Sequence, residues 1–242
     1  VVLSATLQCW SAAVLPPGQA GGKSAARMGA AAPGFLSVDT PSLHPATAQL
    51  EAESGASETV TSLMVWLSET SRSALEEDQA YQRQNAEFAL RTREEMSFAH
   101  EVSQDLFLKW VLPYRHFDEP VDNWRPAFFE KLAPLAKDCS TVKEAAERVI
   151  PAVFDGTLGN QVTFKPNNTP TIMAPVSETL RTGYASCTGL SILVADALRS
   201  VGVPARVVGT PEWNRPEAGN HNWIEVWHSN GWHFMDVAPV KA

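Results

Sequence analysis

The sequence predicts an α+β domain in which helices come first and an antiparallel sheet comes last. Three observations carry this reading. Apolar residues recur at helical spacing through the middle of the chain. Two segments near the C-terminus alternate as strands do, on either side of a Ser229-Asn230-Gly231 turn. The 242 residues are 44% hydrophobic and 19% charged, which supplies one sizeable core and excludes a wholly disordered chain.

Residues 1–60 are rich in Ala, Gly, Pro and Ser, and the first fifty hold eleven Ala but three charged residues. Such a stretch buries little side-chain surface and reads as a low-complexity, disordered leader. Val1 to Leu15 also has the apolar character of a truncated secretion signal, which would make the protein secreted or periplasmic. No basic stretch precedes it, so the leader reading is the favoured one.

Residues 61–150 form a helical segment. Ala74 to Arg93 is strongly charged and reads as a solvated helix. Phe98, Val102, Leu106 and Trp110 fall four apart, as one apolar helical stripe. Glu94 and Glu95 suit the start of that helix and Pro113 its end. Trp124 to Lys137 reads as a short helix, and Thr141 with Glu144 has the capping-box spacing that opens another, ending near Val149.

Residues 151–242 are read as the functional core. Asn167, Asn168, Pro170 and Pro175 make 151–180 loop-like. Cys187 to Ser200 sets Leu190, Leu193, Val194, Ala197 and Leu198 on one helical face, and Gly202 and Pro204 end it. Ala205 to Val208, His221 to Trp227 and Trp232 to Val237 read as strands.

The net charge of −8 belongs mostly to the helical middle, where 11 basic side chains face 16 acidic ones. An acidic chain without clustered Lys and Arg is not expected to take nucleic acid as its partner. After residue 60 no run of eighteen apolar residues exists to span a bilayer. Three widely spaced cysteines, Cys9, Cys139 and Cys187, make neither a disulfide framework nor a CxxC zinc pair. His228 and His233 flank the turn and read as solvated residues, so no metal is expected.

The order Cys187, His221, Asp236 carries the chemistry. Cys187 sits where a loop becomes a helix, and the unpaired N–H groups and positive dipole end there favour a thiolate. The same N–H groups suit an oxyanion forming beside the sulfur. His221 and Asp236, on neighbouring strands, complete a nucleophile, a general base and a base-orienting carboxylate. With Asn230-Gly231 as a two-residue turn, Asp236 would fall opposite Glu225, about 13 Å along the strand from His221. The triad therefore predicts a wide turn or a bulge here, and a four-residue turn over Trp227 to Asn230 would place Asp236 opposite His221. Trp213, in the long loop before His221, reads equally as a cleft wall and as packing over the core edge. Tyr184 is a substrate-contact candidate by its closeness to Cys187.

Three ordered blocks resemble the transglutaminase-like cysteine enzymes of the papain-like superfamily. They are Gly183-Tyr184-Ala185-Ser186-Cys187-Thr188-Gly189, Ala197 to Arg206, and Asn220-His221-Asn222-Trp223-Ile224-Glu225-Val226-Trp227 with Gly231 to Asp236. The Trp110 to Arg115 stretch, with Trp124-Arg125, resembles the helical lead-in of bacterial-type members. The resemblance implies N-terminal helices packed on an antiparallel sheet, Cys187, His221 and Asp236 as a triad, and a protein or peptide substrate. It implies no cofactor. It also implies an oxyanion donor upstream of the cysteine, for which Gln161 is the candidate. Relatives continue beyond the position of Asp236, so 151–242 reads as a core truncated at its C-terminus. The expected reaction is acyl transfer on peptide or carboxamide bonds, with an idle scaffold on the same fold as the alternative.

Overall fold

The computed structural model describes residues 56–70, 79–166, 173–213 and 219–237. The expected leader and signal, up to residue 55, and Cys9 lie outside the described residues. The chain divides into compact units at 1–62 and 63–242, and the functional core belongs to the second. Its mixed architecture is the α+β class the sequence predicts.

Helices α1 (Ala56–Thr70) and α2 (Gln79–Glu95) come first. The charged segment read as a solvated helix has a buried side, because Gln82, Asn85, Ala86, Ala89 and Thr92 recur at helical spacing. Glu94 and Glu95 end α2 rather than open the next helix. The single helix expected through Phe98 and Trp110 is two pieces, a 3₁₀ turn at Ser97–Glu101 and α3 (Gln104–Trp110). Ser103 accounts for the break: its hydroxyl accepts from Leu106 N at 3.3 Å and caps a new helix. The phase resets there, so Phe107 and Leu108 are buried while Leu106 and Trp110 are half-buried.

Helix α4 (Trp124–Ala136) forms as expected. In α5 (Val142–Phe154) Thr141 Oγ1 accepts from Glu144 N at 3.1 Å, while Glu144 reaches back to Ser140 N at 2.8 Å. The helix continues through Pro151, past the expected end near Val149, because Ala152 and Val153 are buried. The loop-like stretch contains β1 (Thr163–Phe164) and α6 (Val176–Thr182). Strand β1 pairs in parallel with β2 (Tyr184–Ala185).

Helix α7 (Cys187–Ser200) organises the rest. Its residue spacing predicts one apolar face, but every residue from Thr188 to Ser200 is buried. Helices α4, α5 and α6 pack on it, and so do strands β3 (Ala205–Thr210) and β4 (His221–His228). The N-terminal helices thus reach the sheet largely through α7. Gly202 ends the helix at φ +85°, and a Cβ there would lie 2.7 Å from Thr92 Oγ1, so only glycine lets α2 approach.

Total burial forces partners on the charged residues of α7. Arg199 donates to the carbonyls of Pro113, Arg115 and Ala205 at 3.0, 3.2 and 3.0 Å. Asp196 Oδ1 and His116 Nε2 meet at 3.1 Å. Burial raises the Asp196 carboxyl well above the usual range and, with the two nearby arginines, keeps His116 well below its own. Arg125, also buried, donates to Arg199 O at 2.9 Å, Val111 O at 2.8 Å and Asn85 Oδ1 at 2.5 Å. Burial lowers Arg125 to about 9 and Arg199 to about 10, and both remain cations at neutral pH.

The main sheet has the order β3-β4-β5, antiparallel throughout, with β5 at Gly231–Met235. Ile224 and Val226 turn one face into the core. The wide turn expected between β4 and β5 does not form. Trp227 pairs with Trp232 and His228 with Gly231, leaving Ser229-Asn230 as a two-residue turn. Their φ values of +49° and +62° are those a type I′ hairpin demands. In this register Asp236 follows Met235, the partner of Ile224, and so falls opposite Trp223. That position is diagonal to His221 and on the same face, within reach of long side chains.

The arginine clamp is testable. Arg199→Met keeps the bulk but removes the donor that three backbone carbonyls share, and should lower the unfolding free energy by about 3 kcal/mol. Urea titration followed by tryptophan fluorescence reads the shift in midpoint.

Candidate active site

Cys187 is the first residue of α7. Ser186 before it is extended (φ −67°, ψ 175°), and its hydroxyl accepts from Gly189 N at 3.4 Å. The thiol therefore stands half-buried at the positive end of a fourteen-residue helix. Cys139, by contrast, is buried, and burial raises its thiol above the ordinary value.

His221, 1% exposed, is the first residue of β4. Its Nε2 lies 3.1 Å from Asp236 Oδ1, and Asp236 stands just beyond β5. This leaves Nδ1 for the sulfur. Burial opposes the thiolate, but the neighbouring His221 first, with the backbone of Asn222 and Thr188, outweighs it and lowers the thiol below its ordinary value. Burial also opposes the imidazolium, yet Asp236 first and Cys187 second raise His221 to about 9. Both shifts favour the charged forms, thiolate and imidazolium.

Trp213 lies against this pair. Its ring centroid is 4.5 Å from that of His221, 5.3 Å from Trp223 and 6.2 Å from Phe234. Trp213 N donates to Gly219 O at 2.9 Å, which fixes where the loop leaves and rejoins the sheet. Of the six residues singled out in the sequence, the fold brings together Cys187, His221, Asp236 and Trp213. Tyr184 holds Lys165 over its ring at 4.2 Å. Gln161 is exposed, and its Cγ packs at Gly156, 3.6 Å from where a Cβ would stand. Both make these contacts with groups other than the sulfur. Trp223 is half-buried and joins the aromatic group at the histidine. His228 and His233 stack at 3.7 Å across the hairpin.

Sequence reasoning passes over Thr188, Gly209 and Asn222. Thr188 Oγ1 donates to Asn222 Oδ1 at 2.8 Å, tying the helix start to β4. Each of Thr188 and Asn222 adjoins a singled-out residue, which is the one signal the sequence holds for them. Their pairing requires the tertiary contact.

A helix-borne cysteine set against an antiparallel sheet that carries a histidine is the framework of the papain-like fold class. Residues 132–237 match the family model described as the transglutaminase-like superfamily. Among solved structures the chain is similar to a "putative protease" from Parabacteroides distasonis ATCC 8503, at 12% identity and TM-score 0.36 over 46% of this chain and 23% of that one. It is also similar to a "putative cysteine protease" from Cytophaga hutchinsonii, at 13% identity and TM-score 0.41 over 60% of this chain and 47% of that one. The chain spans less than half the length of either protein, and neither likeness bears on the chemistry. No curated protein matches the sequence. Among the described residues no helix is long and apolar enough to cross a membrane.

The ion pair predicts a pH profile. Alkylation of Cys187 by iodoacetamide should titrate with a midpoint below that of an ordinary thiol. His221→Ala removes the largest influence opposing burial and should raise that midpoint. Alkylation at pH 7 should then slow about tenfold for each pH unit by which the midpoint rises. Mass spectrometry of the Cys187 peptide measures it.

Proposed function

We propose that the protein is a cysteine acyl-transfer enzyme acting on peptide or carboxamide bonds, with Cys187 as nucleophile, His221 as acid–base and Asp236 as the group orienting His221. The observation that supports it is the half-buried thiol at a helix start, paired with an imidazole whose other nitrogen meets a carboxylate at 3.1 Å. The half-buried sulfur favours this over an idle scaffold, for which an enclosed thiol would be expected.

In this reading the Cys187 thiolate attacks the carbonyl carbon and the C–O π pair moves onto oxygen. The oxyanion is met by N–H groups at the start of α7. The oxyanion re-forms the carbonyl, the C–N bond breaks, and the imidazolium gives its proton to the departing amine. A thioester remains on Cys187. His221 then takes a proton from water, which attacks the thioester, and Cys187 leaves as thiolate. An amine in place of water makes the same step a transamidation. The imidazolium is needed for departure of the amine, and His221 loses its proton as pH rises through about 9. Turnover should therefore fall above that pH, while alkylation, which needs only the thiolate, should not.

Trp213, whose ring lies 4.5 Å from that of His221, is assigned to substrate contact, as is Tyr184 on the strand leading into α7. Gln161 is assigned as the side-chain oxyanion donor. Gln161→Ala should lower kcat with little change in KM, and an unchanged kcat would leave the oxyanion to the backbone alone.

The test is a screen of peptide and glutamine-amide substrates, with and without a primary amine. The expected result is release of amine or ammonia that does not require an added acceptor, and a loss of about 10⁴-fold or more in Cys187→Ala. Incorporation of the added amine would identify transamidation. Undiminished turnover in Cys187→Ala would overturn the mechanism.

A further inference from the structure

We infer that Thr188, Asn222 and Gly209 form a positioning device that sets the acidity of Cys187. The inference rests on the reading of Cys187 and His221 as the reacting pair. Three observations meet at one place. First, Thr188 directly follows Cys187 at the start of the helix, and Asn222 directly follows His221 at the start of the strand. Second, the side chains of the same two residues bond each other, Thr188 Oγ1 donating to Asn222 Oδ1 at 2.8 Å. Third, Asn222 pairs across the sheet with Gly209, and it fits only because Gly209 lacks a side chain. A Cβ at Gly209 would collide with Asn222 Nδ2 and stand 3.2 Å from its Cγ and from His221 O.

The physical consequence is a fixed spacing between two elements that have no covalent reason to keep it. Helix α7 brings the sulfur, and strand β4 brings the imidazole. The Thr188–Asn222 bond closes the bracket beside them. Asn222 Nδ2 also donates to Val208 O at 3.5 Å, which ties the bracket to β3. Burial pushes the thiol up and the neighbouring His221 brings it down, so the acidity of Cys187 follows the spacing that the bracket keeps. The side chains of Thr188 and Asn222 act through the sulfur's surroundings, which makes them positioning residues.

The experiment is the pH profile of Cys187 alkylation in the full chain, read on the Cys187 peptide for wild type, Thr188→Val, Thr188→Ser, Gly209→Ala and His221→Ala. Thermal melting checks that each variant is folded. Thr188→Val keeps the shape and loses the hydroxyl, and Gly209→Ala keeps every donor but displaces the Asn222 amide. Each should move the midpoint up by about one pH unit, while Thr188→Ser should titrate as wild type. A role confined to packing would lower the melting temperature without moving the midpoint. If either Thr188→Val or Gly209→Ala titrates as wild type while His221→Ala does not, the positioning device is refuted and the reacting pair stands. If wild-type Cys187 titrates as an ordinary thiol, indifferent to His221→Ala, the reacting pair itself fails and the device with it.

Discussion

The burial of α7 on all sides is the constraint from which the rest of the structure follows. Leu190, Ile192, Leu193, Val194 and Leu198 together contribute on the order of 10 kcal/mol by leaving water. The same burial takes Asp196 and Arg199 with it, and each unpaired ion would cost several kcal/mol. The segment from Val111 to Glu119 exists in its irregular form to meet that demand. Its carbonyls accept from Arg125 and Arg199, and His116 hydrogen-bonds Asp196. Glu119 in turn accepts from the backbone of His116 and Phe117 at 2.6 and 2.8 Å, which holds the segment in shape. A helix gripped at its interior and C-terminal end in this way presents its N-terminus at a fixed place.

That place holds Cys187, and two opposed forces meet there. Desolvation pushes Cys187 toward the neutral thiol and His221 toward the neutral imidazole. The neighbouring partner outweighs burial in both, His221 for Cys187 and Asp236 for His221, and shifts each toward its charged form. The outcome depends on distances of a few tenths of an ångström, so it requires rigid mounting. The helix end, the sheet edge and the aromatic group of Trp213, Trp223 and Phe234 supply it. The far end of the sheet is held independently, with Arg206 over Trp232 at 4.2 Å and bonded to Glu225 at 2.8 Å.

Much of this is legible in the sequence, and the exceptions have physical causes. Helix α7, its cap and its stop can be read because Ser186, Gly202 and Pro204 act locally. The order of Cys187, His221 and Asp236 can be read because those residue types share one chemistry. The break at Ser103 is hidden because the four-residue spacing from Phe98 to Trp110 fits one helix as well as two. The hairpin register is hidden because Ser229-Asn230 and Asn230-Gly231 are both acceptable turns. Only the pairing of Trp227 with Trp232 chooses between them. The consequence is large: a tight turn makes the His221–Asp236 contact a diagonal one, so no wide loop is needed.

The sequence by itself determined the fold class, the helix that carries the sulfur and the identity of the residues set around it. These are local matters of spacing, capping and side-chain chemistry. Tertiary structure alone decided the strand register, the all-round burial of α7 and the meeting of Thr188, Asn222 and Gly209 beside Cys187. Each of these joins residues distant in the chain, and their contact depends on how whole elements pack. No local pattern encodes that.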